Sequence, residues 1–179
     1  MSVADLEQFA EYTKLGWYLI PVYPIIEGNK CACHKRENCE AAGKHPIDND
    51  WLNRGSNERT DILRWYRQHN RPNFGVITGQ QSGVWVLDID TKINPKNPVP
   101  GKETLLAWEE KYGELPDTPT AMTGSGGYHI FFKYPDIAIP SKVRFASGLD
   151  TRSDRTQAVL APSVSSAGPY EWQIAPADL

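Results

Sequence analysis

The chain has 179 residues, 40% of them hydrophobic, and its 19 basic and 22 acidic side chains leave a net charge of −3 at pH 7. That length suits one well-packed domain and is too short for two generous ones, and the charge excludes a global attraction to polyanions, so any nucleic-acid contact must use a local basic surface. No apolar run approaches the roughly 20 residues of a membrane span and no basic-then-apolar leader opens the chain, so a soluble, cytoplasmic protein with no membrane partner is expected.

Residues 2–16, SVADLEQFAEYTKLG, read as a helix. Ser2 followed three residues later by Asp5 is a capping signal, Leu6, Phe9 and Ala10 share a face, and Gly16 is the stop. WYLIPVYP (17–24) then reads as a strand, and residues 27–50 are polar, cysteine-rich and turn-prone, the mark of an insertion. NERTDILRWYRQH (57–69) resumes helical spacing through Ile62, Leu63 and Tyr66. NFGVITG (73–79) and VWVLDID (84–90) are short strands joined by QQSG, a hairpin signal. A helix over KETLLAWEEKYG (102–113) shows Leu105, Trp108 and Tyr112 on one face. TPTAMTG (118–124) and GYHIFFKYP (127–135) read as strands around the turn GSGG, QAVLAPS (157–163) as another strand, and YEWQI (170–174) as an edge. The summary is an α+β domain with a largely antiparallel sheet.

Alternate side chains of a strand share a face, so Val84, Val86, Asp88 and Asp90 point one way and Trp85, Leu87 and Ile89 the other. Carboxylates whose Cα atoms are about 6 to 7 Å apart repel in a poorly solvated site unless a cation lies between them. Divalent metals resolve that conflict and serve phosphoryl transfer. Alone, such a pair is more often a solvated strand end or a cap for the next turn. Further along, the glycines of TGSGGYHIFF (123–132) let backbone amides form an anion nest, with His129 placed to donate to a phosphate; the plainer reading is an ordinary glycine hairpin. In GLDTRSD (148–154), Asp150 completes a triad with Asp88 and Asp90, and Arg152 offers a fork for phosphate oxygens; the plainer reading is a surface ion pair worth little.

The three cysteines lie within nine positions, beside histidines, which points to a metal and away from a disulfide framework. Cys31, Cys33 and Cys39 need one histidine for a closed four-ligand zinc site, and both His34 and His45 are within reach. The basic residues Lys30, Lys35, Arg36 and Lys44 surround the cluster, either as a local phosphate-binding knob, with Lys44 close enough to point toward a nucleotide, or as solvated side chains.

The order of these pieces resembles the archaeo-eukaryotic primase superfamily, and more narrowly the bifunctional DNA primase/polymerase N-terminal domain of plasmid, phage and mobile-element replication proteins. GKHP (43–46), Trp51, NFGVITG, SGVWVLDID, TGSGGYHIFF, GLDTR, APS and YEW occur in the expected sequence over nearly the whole chain. The resemblance implies a fold in which an RRM-like mixed, largely antiparallel sheet with packed helices joins a second small α/β unit. Residues 1–179 would be one catalytic domain with a zinc-binding insertion at 27–50, the N-terminal part of a longer replication protein carrying a helicase or helical accessory region. It implies that Asp88, Asp90 and Asp150 hold catalytic Mg²⁺ or Mn²⁺. His129 would contact the phosphates of a dNTP or NTP with Ser125, Gly127 and Arg152 nearby, and His45 would complete a structural zinc site. A single-stranded DNA template and a primer are the implied partners. The chain departs from the family pattern at Asp90, where a glutamate is also met, and at Arg155, Thr156 and Gln157, where relatives often place a glycine pair and an aromatic residue. Two other functions remain open to the residues: an Asp-x-Asp nucleotide-sugar transferase, and a non-catalytic zinc-bearing nucleic-acid-binding domain.

Overall fold

The computed structural model describes residues 2–176. Helix α1 (Val3–Glu11) begins on a reciprocal cap: Ser2 Oγ accepts the Asp5 N–H at 3.2 Å, and the Asp5 carboxylate accepts the Ser2 N–H. Its last turn tightens to a 3₁₀ helix over Tyr12–Leu15, ended by Gly16 at φ 75°. Strands β1 (Leu19–Val22), β2 (Ile25–Ile26) and β3 (Lys30–Cys31) follow, then the short α2 (Trp51–Arg54), α3 (Arg59–Gln68), β4 (Asn73–Ile77), β5 (Val84–Ile89) and α4 (Gly101–Tyr112). The rest is strands: β6 (Thr120–Met122), β7 (Tyr128–Lys133), β8 (Lys142–Ala146), β9 (Leu149–Arg152), β10 (Gln157–Val159), β11 (Val164–Ser165), β12 (Gly168–Pro169) and β13 (Glu171–Ile174).

Two principal sheets result, one of three strands ordered β1-β4-β10 and one of six ordered β13-β6-β7-β5-β9-β8. Every ladder among the described residues is antiparallel, so the mixed sheet implied by resemblance is corrected to antiparallel sheets. The hairpin expected around QQSG is corrected as well. Gly79 and Val84 do bridge across that turn, but β4 and β5 belong to different sheets. The reason is occupancy: β1 and β10 take both edges of β4, and β7 and β9 take both edges of β5.

One core binds the two sheets together. Phe9 from α1, Tyr12 from the 3₁₀ turn that follows it, Ile62 from α3, Leu19, Phe74 and Val76 from the small sheet, and Val84, Val86 and Phe131 from the large sheet pack into a single cluster. Phe9, Phe74 and Phe131 are essentially inaccessible, and each contributes roughly 1.5–3 kcal/mol by burial. The opposite face of the large sheet carries Leu87, Ile89, Ile130 and Leu149, covered by Leu105 of α4. Trp108 leans on Phe145, but Tyr112 is 72% exposed, so the predicted face of α4 is only half used. That helix starts on a close approach: a Cβ on Gly101 would lie 2.2 Å from the Gly148 carbonyl oxygen. Its N–H is given to the Asp90 carbonyl at 2.6 Å, tying α4 to the end of β5.

Candidate active site

Cross-strand register builds the site. Asp88 on β5 stands opposite His129 on β7 and opposite Asp150 on β9, while Val86 stands opposite Arg152. Residues facing one another across antiparallel strands share a face, so His129, Asp88 and Asp150 form one row, with Arg152 two residues along β9. Arg152 gives its Nε (2.8 Å) and Nη2 (2.5 Å) hydrogens to Asp88 Oδ2, and His129 Nε2 lies 3.6 Å from Asp88 Oδ1. Asp90, one residue beyond the strand, is exposed and accepts the Lys92 N–H on Oδ1 at 2.9 Å. Asp150 Oδ1 accepts the Arg144 N–H at 2.6 Å.

Burial pushes the Asp88 carboxyl up, but pairing with His129 and Arg152, and more distantly Lys44, outweighs it and holds the group below the ordinary carboxylate range. Burial pushes the His129 imidazole down to about 4 against the pull of Asp88. At neutral pH His129 is therefore uncharged, and Arg152 is the cation that balances Asp88. His129 Nδ1 is buried and makes no hydrogen bond of good geometry, although the Val159 carbonyl is close enough to oppose the downward shift slightly. Tyr170, whose ring lies 5.7 Å from that of His129, has its hydroxyl pushed up to about 12 by burial and the Asp88 charge.

These groups line a cleft of ≈ 450 Å³ that gathers Asp88, Asp90, Asp150, Ser125, His129, Arg152, Lys44, Gln157 and Tyr170. A larger groove of ≈ 780 Å³ lies between α2 and α3. Its arginines are neutralised by the pairs Arg54–Asp48 (3.2 Å) and Arg64–Asp61 (2.9 Å), and it lacks the acid row, so the smaller cleft is the candidate site. Gly127 acts there by packing. Its N–H goes to Thr123 Oγ1 at 3.1 Å, and a Cβ would come within 2.3 Å of the Ile89 carbonyl oxygen. The Gly126 N–H is likewise given to the Thr123 carbonyl. The anion nest expected at this turn is thus corrected: two of its amides are spent inside the turn, and Ser125, whose Oγ pairs with Thr123 Oγ1 at 3.2 Å, lines the cleft.

The cysteine cluster lies on the segment between β1 and α2. The ligand atoms of Cys31, Cys33, Cys39 and His45 all lie within 4.8 Å of one another. His45 Nε2 is 3.5 Å from Cys31 Sγ and 3.4 Å from Cys39 Sγ, close to the roughly 3.5 Å S···N edge of a tetrahedron with ordinary Zn–S and Zn–N lengths. The set fits zinc. His34 is exposed and stands outside it. Burial holds the His45 imidazole below its ordinary range, in the neutral form that can ligate. Among the described residues this is the one Cys/His/Asp/Glu set with converged ligand atoms; the three cleft acids share a cavity without being drawn into such a cluster. Lys30, Lys35 and Arg36 are exposed on the segment, while Lys44 turns into the cleft.

The family model described as bifunctional DNA primase/polymerase, N-terminal, matches residues 9–179. The chain belongs to that family. Membership carries nucleotidyl transfer of the primase/polymerase type, with DNA and nucleotides as partners. No curated protein gives a significant match. No helix among the described residues is long and apolar enough to cross a membrane. Arg155 adopts φ 61°, the left-handed region a glycine enters freely. Gln157 and Tyr170 also line the cleft: Gln157 is marked in the sequence only as a departure, and Tyr170 only by its place in the YEW run.

Proposed function

We propose that the chain is a template-directed DNA polymerase with primase capacity, built on the archaeo-eukaryotic primase fold with the six-stranded sheet as its RRM-like element and residues 27–50 as a zinc-bearing insertion. It joins a nucleotide to a 3′-hydroxyl and releases pyrophosphate. The observation that carries this reading is the row His129, Asp88, Asp150 across three adjacent strands, with Arg152 folded onto Asp88 at one side of a single cleft.

Three carboxylates are hard oxygen donors of the kind Mg²⁺ and Mn²⁺ take, and Asp88, Asp90 and Asp150 would hold such ions. When bound, the metal supplies activation of the attacking oxygen and charge neutralisation at the leaving one. The chain's own side chains bind and orient. Arg152 has five N–H donors, of which the Asp88 pairing uses two, so it retains others for phosphate oxygens. His129, uncharged and buried, carries one N–H donor, and Ser125 a hydroxyl. Gly127 lets β7 approach β5 closely enough to bring His129 to Asp88. Phosphoryl transfer needs this positioning and charge stabilisation more than a covalent nucleophile.

Extension of a labelled primer on a single-stranded template, with Mg²⁺ or Mn²⁺ added, tests the reading. A binding-only domain retains the template without extending the primer. A sugar transferase shows no template dependence.

A further inference from the structure

The loop that closes the cysteine cluster also forms a wall of the acid cleft. Lys44, between Gly43 and His45, lines the cavity that holds Asp88, Asp90, Asp150, His129 and Arg152. Its backbone is pinned from two directions. On the loop side, the Lys44 N–H goes to the Ala41 carbonyl (2.9 Å), the Gly43 carbonyl accepts Asn73 Nδ2 (2.9 Å), and the His45 carbonyl accepts the Tyr23 N–H (3.0 Å). On the cleft side, Gln157 Nε2 donates to the Lys44 carbonyl at 2.9 Å. The stem therefore leaves from a fixed point.

Among the described residues the ammonium at the end of that stem enters no hydrogen bond or ion pair. Lys44 is half-buried and lines one cavity with Asp88, Asp90, Arg152 and Lys92. The ion pair of the cleft is Arg152–Asp88, with uncharged His129 on the other oxygen of Asp88, and Lys44 enters neither contact. Asp88 already has its counter-charge. Lys44, Lys92 and Arg152 balance Asp88, Asp90 and Asp150 before any ligand arrives, so an anion accompanied by divalent metal keeps the cleft near neutrality. A half-desolvated ammonium is favoured by an anionic partner.

We propose that Lys44 is a phosphate-binding residue of the cleft, contacting the triphosphate of the incoming nucleotide from the wall that the cysteine cluster closes. This deepens the nucleotidyl-transfer reading and rests on it. A loop built as a metal site thereby supplies a substrate contact. The triphosphate is favoured over the template backbone because Lys44 shares its cavity with Asp88 and His129, whereas Lys30 and Lys35 stay exposed outside it.

The test uses calorimetric titration with inorganic tripolyphosphate and Mg²⁺ on the wild type, Lys44→Ala, Lys44→Gln and Lys44→Arg, with zinc content and melting measured on each. Template–primer affinity is read separately by fluorescence anisotropy. Lys44→Ala and Lys44→Gln should bind tripolyphosphate about tenfold or more weakly, Lys44→Arg within about threefold of wild type, and template–primer affinity should not move. Wild-type tripolyphosphate affinity in both neutral variants overturns the assignment and leaves the nucleotidyl-transfer reading standing. A loss confined to template–primer binding also overturns it, moving Lys44 to the DNA backbone. A wild-type protein that binds no tripolyphosphate overturns both.

Discussion

Acidification should weaken this fold through His129, by an amount that follows from its burial. The imidazole sits at about 4 in the folded protein, pushed down by burial against the pull of Asp88, and near 6.5 in an unfolded chain. Between those values the unfolded chain takes up a proton that the folded one does not, so stability rises with pH across this window and is lost as pH falls. The whole gap is worth roughly 3 kcal/mol, of which roughly 2 to 3 kcal/mol is lost by pH 4.5. Asp88 acts lower down. Burial raises its carboxyl, the pairing with His129 and Arg152 outweighs that, and the net direction is downward. Its contribution is present above the unfolded carboxylate range and disappears only as pH falls through its lower folded value. Urea unfolding at pH 7 and pH 4.5, without added divalent ion, should therefore show wild type losing roughly 2 to 3 kcal/mol more than His129→Gln. Protonation of Cys31, Cys33, Cys39 and His45 affects both proteins alike and cancels in the comparison. Parallel losses would refute the reasoning.

Two other outcomes follow from geometry. Cys39→Ser should lower both bound zinc and melting temperature, since the metal's binding energy contributes to folding, and elemental analysis showing wild-type zinc in the variant contradicts the Cys₃His site. Gly127→Ala places a methyl group 2.3 Å from the rigid Ile89 carbonyl. It should cost about 1–3 kcal/mol in urea unfolding and slow primer extension by separating His129 from Asp88, and wild-type behaviour in both assays counts against the packing role.

What the sequence made legible was local. The apolar run ending in Asp88 and Asp90 announced a strand and its acids, and Ser2 with Asp5 announced the first cap. Register was not legible: that Asp88 faces His129 on one side and Asp150 on the other depends on strands separated by about 40 to 60 residues in the chain. The QQSG turn misled because a turn signal says nothing about which edges other strands will occupy. Strand β8 passed unnoticed because its first residues, Lys142, Val143 and Arg144, are exposed at a sheet edge with Val143 outward at 72% and Arg144 at φ 50°. Spacing could not separate His34 from His45. The fold brings His45 to the three cysteine sulfurs and leaves His34 exposed. Glycines at 126 and 127 suggested free amides, yet the Thr123 side chain and carbonyl take both.

The central claim is that the acid row performs nucleotidyl transfer, and the most direct measurement is primer extension by the purified chain beside its Asp88→Asn variant, on a single-stranded template with Mg²⁺ or Mn²⁺. Asp88→Asn keeps the side-chain shape while removing the charge that pairs with Arg152 and that the proposed metal would need. Wild type should extend the primer as the template dictates, and the variant should fall by more than about 10²-fold with its fold and zinc content intact. Extension by the variant at near wild-type rate, or no extension by wild type with either metal, contradicts it.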